Sequence, residues 1–335
     1  MARLTIKEAE NLVRRALEAS GCNAANAASQ TRAVVGAELD GITSHGLAYV
    51  PIYCEHLLCG KVKGDAVPRV EALSASAFVC DAGDGFAFPA IDAAFEQLIP
   101  AAREQALAAV GIRNSYNCGV LGQHVETLAR AGLVGLGVTN SPATMAPLGG
   151  RTPVLGTNPL ACAAPGGQGG AAFVIDQSSS VVARSEVMRH AKRGEPIPEG
   201  WALDAEGRPT TDPAVALQGG SMAPSGGYKG FGVGLLVEVL AAALTGATLG
   251  IHASSFANTE GGPPRTGQFF LAVDPLAFSA GAFAERISAL TAAITAQEGA
   301  RLPGAKRHAA RARVEREGIE ASDELLERIK GYAAR

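Results

Sequence analysis

Between residues 76 and 141 the chain alternates short apolar runs with longer stretches of helical period, and this alternation constrains its fold most tightly. "SAFVCDAG", "AAVGIRNS" and "LVGLGVTNS" read as strands, each a few residues of apolar or β-branched character closed by glycine, asparagine or serine. "FPAIDAAFEQLIPAAREQAL" and "LGQHVETLARAG" between them carry helical periodicity, with Pro100 expected to kink or end the first. Further strands are expected at "AAFVIDQ" and "GQFFLAVDP", and a long helix after "GGYKGFG". Strands alternating with helices imply an α/β core, a sheet with helices on its faces.

The ends read differently. Thr5 and Glu8 form a capping box for the helix "IKEAENLVRRALEASG", and "NAANAASQTRAVVGAELDG" repeats the period. "YVPIYCEHLLCG" adds a short helix with Pro51 in its first turn, and the last fifty residues are helical again. The expected organisation is a helical segment over 1–70, packed with C-terminal helices of 280–335, around an α/β cofactor-binding core of 71–279.

Several function classes recede on composition. Aromatic residues make up 5% and the net charge is −3, which supports neither a basic face nor the stacking aromatics of a nucleic-acid reader. None of the six cysteines forms a C-x-x-C pair, so free thiols in a reducing compartment are expected, and no metal site. The N-terminus has no apolar leader, and Glu238 with three glycines interrupts the longest apolar stretch, Phe231 to Leu249. The expectation is a cytoplasmic protein that does not enter a membrane.

The phosphate-loop, nucleophile-elbow and H-E-x-x-H signatures are absent, and "GLVGLG" is not a Rossmann turn. Chemistry must therefore come from loops. Six stand at expected element ends: "TSHG", "NCGVLGQH", "GGRTPVLGTNP", "DQSSSVVARSEV", "SGGYKGFG" and "RLPGAKR". Five contain glycine, out of 41 in the chain, and such loops expose N–H groups to phosphate. From the residues alone, a nucleotide-type cofactor and a merely glycine-rich scaffold both remain open.

Taken in order, these loops resemble the malate/L-lactate dehydrogenase family, which is unrelated to the Rossmann lactate dehydrogenases; the similarity spans nearly the whole chain. "NCGVLGQHVE", "DQSSSVVARSEV" and "GGPPRTGQFFLAVDP" look most like its reductases of Δ1-pyrroline-2-carboxylate and Δ1-piperideine-2-carboxylate. The resemblance implies a non-Rossmann α/β fold with a mixed sheet and terminal helices packed together, a homodimer, and hydride transfer with NADPH or NADH. The small-molecule substrate is then a cyclic 2-imino acid. A 2-hydroxy acid of the lactate, malate or ureidoglycolate kind is the alternative, and a nucleotide-binding protein without catalysis is a third reading.

By the same resemblance His45 donates the proton, with Ser44 and Glu186 as its relay, and Asp176 belongs to the cofactor loop with Gln177 and Ser178. A histidine titrating near neutrality suits that task, although a lone loop histidine is ordinarily structural. Asn117, Cys118, Gly119, Val120 and Leu121 are expected to hold the cofactor, as are Lys229 and Leu302, Pro303 and Gly304. Arg184, Lys306 and Arg307 are candidates for a 2′-phosphate, which favours NADPH; a solvated basic helix would also explain the last two. Lys229 could equally be a solvated loop lysine. Asn117 stands where relatives often carry histidine, and His124 could fill a nearby role or sit on a helix surface. Thr157 is the implied substrate contact. Tyr49 stands where the family commonly has an arginine for the substrate carboxylate, and one phenol replaces neither its charge nor its fork. It either lines the pocket or packs as core.

Overall fold

The computed structural model describes residues 2–335. Its centre is a seven-stranded sheet. From one edge to the other, with numbers that follow the chain, the strands are β2 (Arg69–Ala72), β3 (Ala77–Asp81), β4 (Leu107–Ser115), β11 (Thr266–Val273), β5 (Val134–Thr139), β6 (Leu160–Pro165) and β7 (Ala171–Gln177). Only β3 and β4 run parallel. All the other neighbours are antiparallel, so the sheet is mixed and is not the doubly wound parallel sheet of a Rossmann fold.

The parallel pair requires a crossover, and α4 (Ala87–Gln105) provides it. It packs beside α5 (Leu121–Arg130) on one face, where Ile91, Phe95, Leu98, Val125 and Leu128 meet Val110, Ile112 and Phe270 of the sheet. Pro100 does not end α4, which continues past it to Gln105. Pro100 and Glu96 are both exposed, so water can take the carbonyl that the missing N–H leaves free. The opposite face is covered by α8 (Tyr228–Glu238), which continues into a π-helical turn, Val239–Ala243. Val237 and Ala241 pack there against Val138.

The terminal segments do come together. Helices α1 (Ile6–Ala19), α2 (Ala24–Leu39) and α3 (Val50–Leu58) share a core with α12 (Asp323–Ala333), built on Val13, Leu17, Tyr53, Leu326 and Ile329. The capping box of Thr5 and Glu8 is formed. A short ribbon, β1 (Ala2–Leu4) with β12 (Ile319–Ala321), joins the two ends of the chain, and α11 (Ala305–Glu317) lies on α2. Helix α10 (Phe283–Thr295) has no fully buried residue; it lies beside β7 and against α9 (Pro275–Ser279). Between β7 and α8 a small unit is inserted: α6 (Arg184–Arg193), β8 (Ala202–Leu203), β9 (Pro209–Thr210), α7 (Pro213–Leu217) and β10 (Ser221–Met222). It has its own core of Val187, Ile197, Ala202, Ala216 and Met222.

No helix among the described residues is long and apolar enough to cross a membrane.

Candidate active site

Two 3-10 turns, Thr43–His45 and Leu47–Tyr49, connect α2 to α3 and present His45. Their shape is set from below. Glu38, near the end of α2, is buried, and its Oε1 accepts from Leu47 N at 2.6 Å. A Cβ on Gly46 would stand 2.1 Å from that oxygen, so only glycine allows the turn to close this tightly. Burial pushes the Glu38 carboxyl up to about 7. Tyr49 packs tilted against Tyr53 with ring centroids 4.8 Å apart, and its own ring lies 6.0 Å from that of His45.

These turns border a cavity of about 620 Å³ at the end of the sheet, lined from several distant segments. Ser44, His45 and Tyr49 form one side. Asn117 to Leu121 bring in the start of α5, Thr157 follows the loop before β6, and Asp176 to Ser178 close β7. Arg184 enters from α6 and Arg307 from α11. The loop 117–121 is ordered by an Asn117 Oδ1 that accepts from Gly119 N at 2.7 Å. Gly122 is also tight, since a Cβ there would reach Arg307 Nη1 at 2.4 Å and Asp176 Oδ2 at 2.8 Å. That carboxylate oxygen accepts from Gly122 N at 2.9 Å and pairs with Arg307 at 2.6 Å. Its charge also reaches His45, raising a histidine pKa that burial pulls down.

Four of the lining residues carry a buried polar side-chain atom with no partner: His45 Nδ1, Thr144 Oγ1, Arg184 Nε and Arg307 Nη1. Unpaired groups of this kind are costly in a folded protein, and these four atoms are closed off from solvent, behind the cavity surface. Arg184 also feels its burial, which lowers its pKa. By contrast, burial pushes the Cys118 thiol up to about 12, so this cavity cysteine is inert.

Three of the sequence candidates lie elsewhere. Glu186 does not line the cavity. Its carboxylate is half-exposed and pairs with Arg189 at 2.6 Å, one turn along α6, so the acid whose field His45 feels is Asp176. Lys229 is exposed at the start of α8, and Leu302 also stands off the cavity wall. Pro303, Gly304 and Lys306 border a second recess, which adjoins the first through Ile42, Asp176, Gln177 and Arg307. His124 is neither on a helix surface nor in the cavity. It is buried against Phe88 and Phe270, with Nε2 3.0 Å from Cys118 O. Among the described residues no group of three or more His, Cys, Asp or Glu is placed to hold a metal ion.

Sequence reasoning missed the anchor beneath the cavity. Glu238 is buried and accepts from Asn158 Nδ2 at 2.7 Å, Gly250 N at 2.6 Å and Asn140 Nδ2 at 3.3 Å. One carboxylate thereby ties together the segments that hold Ser141, Thr157 and Ile251. A lone acid inside an apolar helix was the available signal, since such a group must find several donors.

The malate/L-lactate dehydrogenase family profile matches residues 4–330. A (2R)-3-sulfolactate dehydrogenase (NADP(+)) of Chromohalobacter salexigens is 48% identical, over 98% of each chain. A Δ1-pyrroline-2-carboxylate/Δ1-piperideine-2-carboxylate reductase of Pseudomonas putida is 36% identical, over 98% of this chain and 96% of that one. The crystal structure of Δ1-piperideine-2-carboxylate reductase from Pseudomonas syringae superposes with a TM-score of 0.94 at 35% identity, covering 99% of this chain and all of the other.

Proposed function

The chain belongs to the malate/L-lactate dehydrogenase family and is an NAD(P)-dependent oxidoreductase, and we propose that it interconverts a 2-hydroxy acid and its 2-oxo acid with NADP(H), the substrate carrying a second acid group at C3 as 3-sulfolactate does. Arg184 carries this reading. It lines the same cavity as His45 and is paired with no carboxylate, so an anionic group on the substrate would meet its guanidinium there.

The residues present fit the dinucleotide. The backbone of 117–121 runs into the start of α5, which has no side-chain cap, and Arg307 lines the cavity beside it. Lys306 and Arg307 in the adjoining recess suit a 2′-phosphate, which leaves Arg184 for the substrate. NADPH, when bound, supplies the hydride that reaches C2. His45 gives the proton to the C2 oxygen in reduction and takes it back in oxidation. Burial favours its neutral, accepting form, and the Asp176 charge keeps the protonated form within reach. Thr157 lines the same cavity and would bond the rest of the acid.

A cyclic 2-imino acid is the second reading, favoured by Tyr49, an uncharged aromatic wall 6.0 Å from the His45 ring, and by the 36% identical reductase. We propose a homodimer as the working form. Leu235, Leu236 and Val239 are each about half exposed along α8, and Leu244 is 62% exposed just beyond it, an apolar face that a second copy would cover. A monomer mass by light scattering would remove that assignment.

Steady-state kcat/KM for 3-sulfopyruvate, oxaloacetate, pyruvate and Δ1-piperideine-2-carboxylate, each with NADPH and NADH, tests the whole. The highest value is expected for 3-sulfopyruvate with NADPH. A leading value for the imine would transfer the assignment to the second reading. NADPH binding without turnover of any substrate would mean a protein that has lost catalysis.

A further inference from the structure

Lys61 follows α3, and its ammonium is buried, with the residue only 1% exposed. Nζ donates to Ser255 O at 2.6 Å, Asn258 O at 2.7 Å and Glu260 O at 2.6 Å, with Asn258 Oδ1 at 3.4 Å. Three carbonyls match the three protons of an ammonium. All four partners are neutral oxygens, so the charge is held by dipoles, as a potassium ion is in a ring of carbonyls.

The carbonyls belong to one loop. Residues 253–265 form no helix or strand, and Pro263 and Pro264 bring no N–H of their own. The near part of this loop is a wall of the cavity: Ala253, Ser255, Phe256 and Ala257 all line it. A second contact supports the same point. His56 Nε2 lies 2.9 Å from Asn258 O, while its Nδ1 faces the Tyr116 hydroxyl. The network assigns the proton to Nε2, so that Tyr116 donates to Nδ1 and His56 donates to the Asn258 carbonyl. Burial and the Lys61 charge hold the His56 pKa down, which keeps that arrangement neutral. Phe256 then packs on Tyr116 with ring centroids 5.3 Å apart.

We propose that Lys61 is a tethered monovalent cation, a positioning residue whose ammonium gathers the carbonyls of Ser255, Asn258 and Glu260 and so fixes the Ser255–Ala257 wall of the substrate cavity. It touches neither substrate nor cofactor. Removing it frees the wall without removing any group that reacts.

Its activity readout rests on the proposed function, but its main readout does not. Lys61→Ala opens a channel to the carbonyl cage that a free ammonium or potassium ion can enter. Lys61→Met fills the channel with an uncharged chain. Hydrogen exchange of amides 253–262 is measured in both full-length variants, in ammonium, potassium, lithium and tetramethylammonium chloride at equal ionic strength. Faster exchange confined to this loop is expected in both variants. Ammonium and potassium slow it again in Lys61→Ala only, and lithium and tetramethylammonium do not, because one is too small for the cage and the other too large. The substrate KM of Lys61→Ala is expected to rise ~10-fold and to recover with the same ions, while the KM for NADPH stays within about twofold. Unchanged loop exchange, or recovery that is equal in all four salts or absent, overturns the proposal. If Lys61→Ala melts too early for exchange, the same ion series is read on its melting temperature, and an equal effect of all ions is again contrary. A failed substrate assignment with ion-selective loop exchange leaves this inference standing, and the converse sinks it alone.

Discussion

In the turn that carries His45, the buried charge beneath the backbone has its partner: Glu38 accepts from Leu47 N at 2.6 Å. At the start of α6, across the cavity, Arg184 is half-buried and has no acid partner, with its Nε enclosed and unpaired. The backbone of the first region is bonded within the chain, while the ring of His45 keeps an unpaired Nδ1. The second is left with an unsatisfied cation, and the small inserted unit that carries it packs mainly on its own core. The difference separates the two tasks of the site. The proton carrier must be fixed to within a fraction of an ångström, whereas the group that recognises an anion gains by being completed only when the anion is present.

The largest effect is expected in the fixed region. His45→Ala should lower kcat by roughly 10²–10⁴ with little change in NADPH affinity, as steady-state kinetics and fluorescence titration would show. A variant with most of its turnover would take His45 out of the mechanism. Next comes the acid that His45 feels. Asp176→Asn should lower kcat about 10-fold or more and move the His45 limb of the pH–rate profile to lower pH, because the charge that raises the histidine pKa is gone. An unmoved limb would leave His45 uncoupled from β7.

Glu38 gives a smaller effect, read in stability. Its folded pKa of about 7 lies above the ordinary value of 4.5, so its stabilising contribution is complete at low pH and is lost as pH rises from 4.5 through 7. Glu38→Gln keeps an acceptor for Leu47 N and removes the titration. Relative to the parent it should gain about 2 kcal/mol between pH 5 and 8 in urea unfolding. A difference that does not depend on pH would contradict the buried carboxylate. Smallest of all is Glu186→Gln, expected to change kcat/KM by less than about threefold, as for a half-exposed ion pair. A fall comparable to that of Asp176→Asn would show that α6 swings inward and that the contrast between the two regions is drawn wrongly.

The sheet-and-helix plan was legible because long periodic segments such as α1, α4 and α5 carry their burial pattern in the sequence. Strand β6 was not legible: "LACAAP" is mostly small residues, and it is a strand because β5 and β7 flank it. Nor was the ribbon of β1 and β12, three residues on each side and more than three hundred apart. At the site, the TSHG turn and the 117–121 and 176–178 loops stood out because glycine and polar residues break apolar runs there. Lys61 did not stand out, and Glu238 did so only as a lone acid in an apolar stretch. Their roles depend on partners from loops far along the chain, which the neighbouring residues do not name. For Glu186, the motif position fixes the residue's place on α6 but not the partner its side chain finds, which here is Arg189.

The central claim is that Arg184 waits for an acid group of the substrate. It is tested most directly by kcat/KM for 3-sulfopyruvate and for pyruvate, each with NADPH, in the parent and in Arg184→Met. A charge-assisted bond lost from a buried site costs about 1.5–3 kcal/mol, so the ratio of the two values should fall about 10- to 100-fold, through the sulfonated acid alone, with the KM for NADPH unchanged. An equal fall for both acids, or a rise in the KM for NADPH with the ratio intact, would contradict the account and place Arg184 at the cofactor.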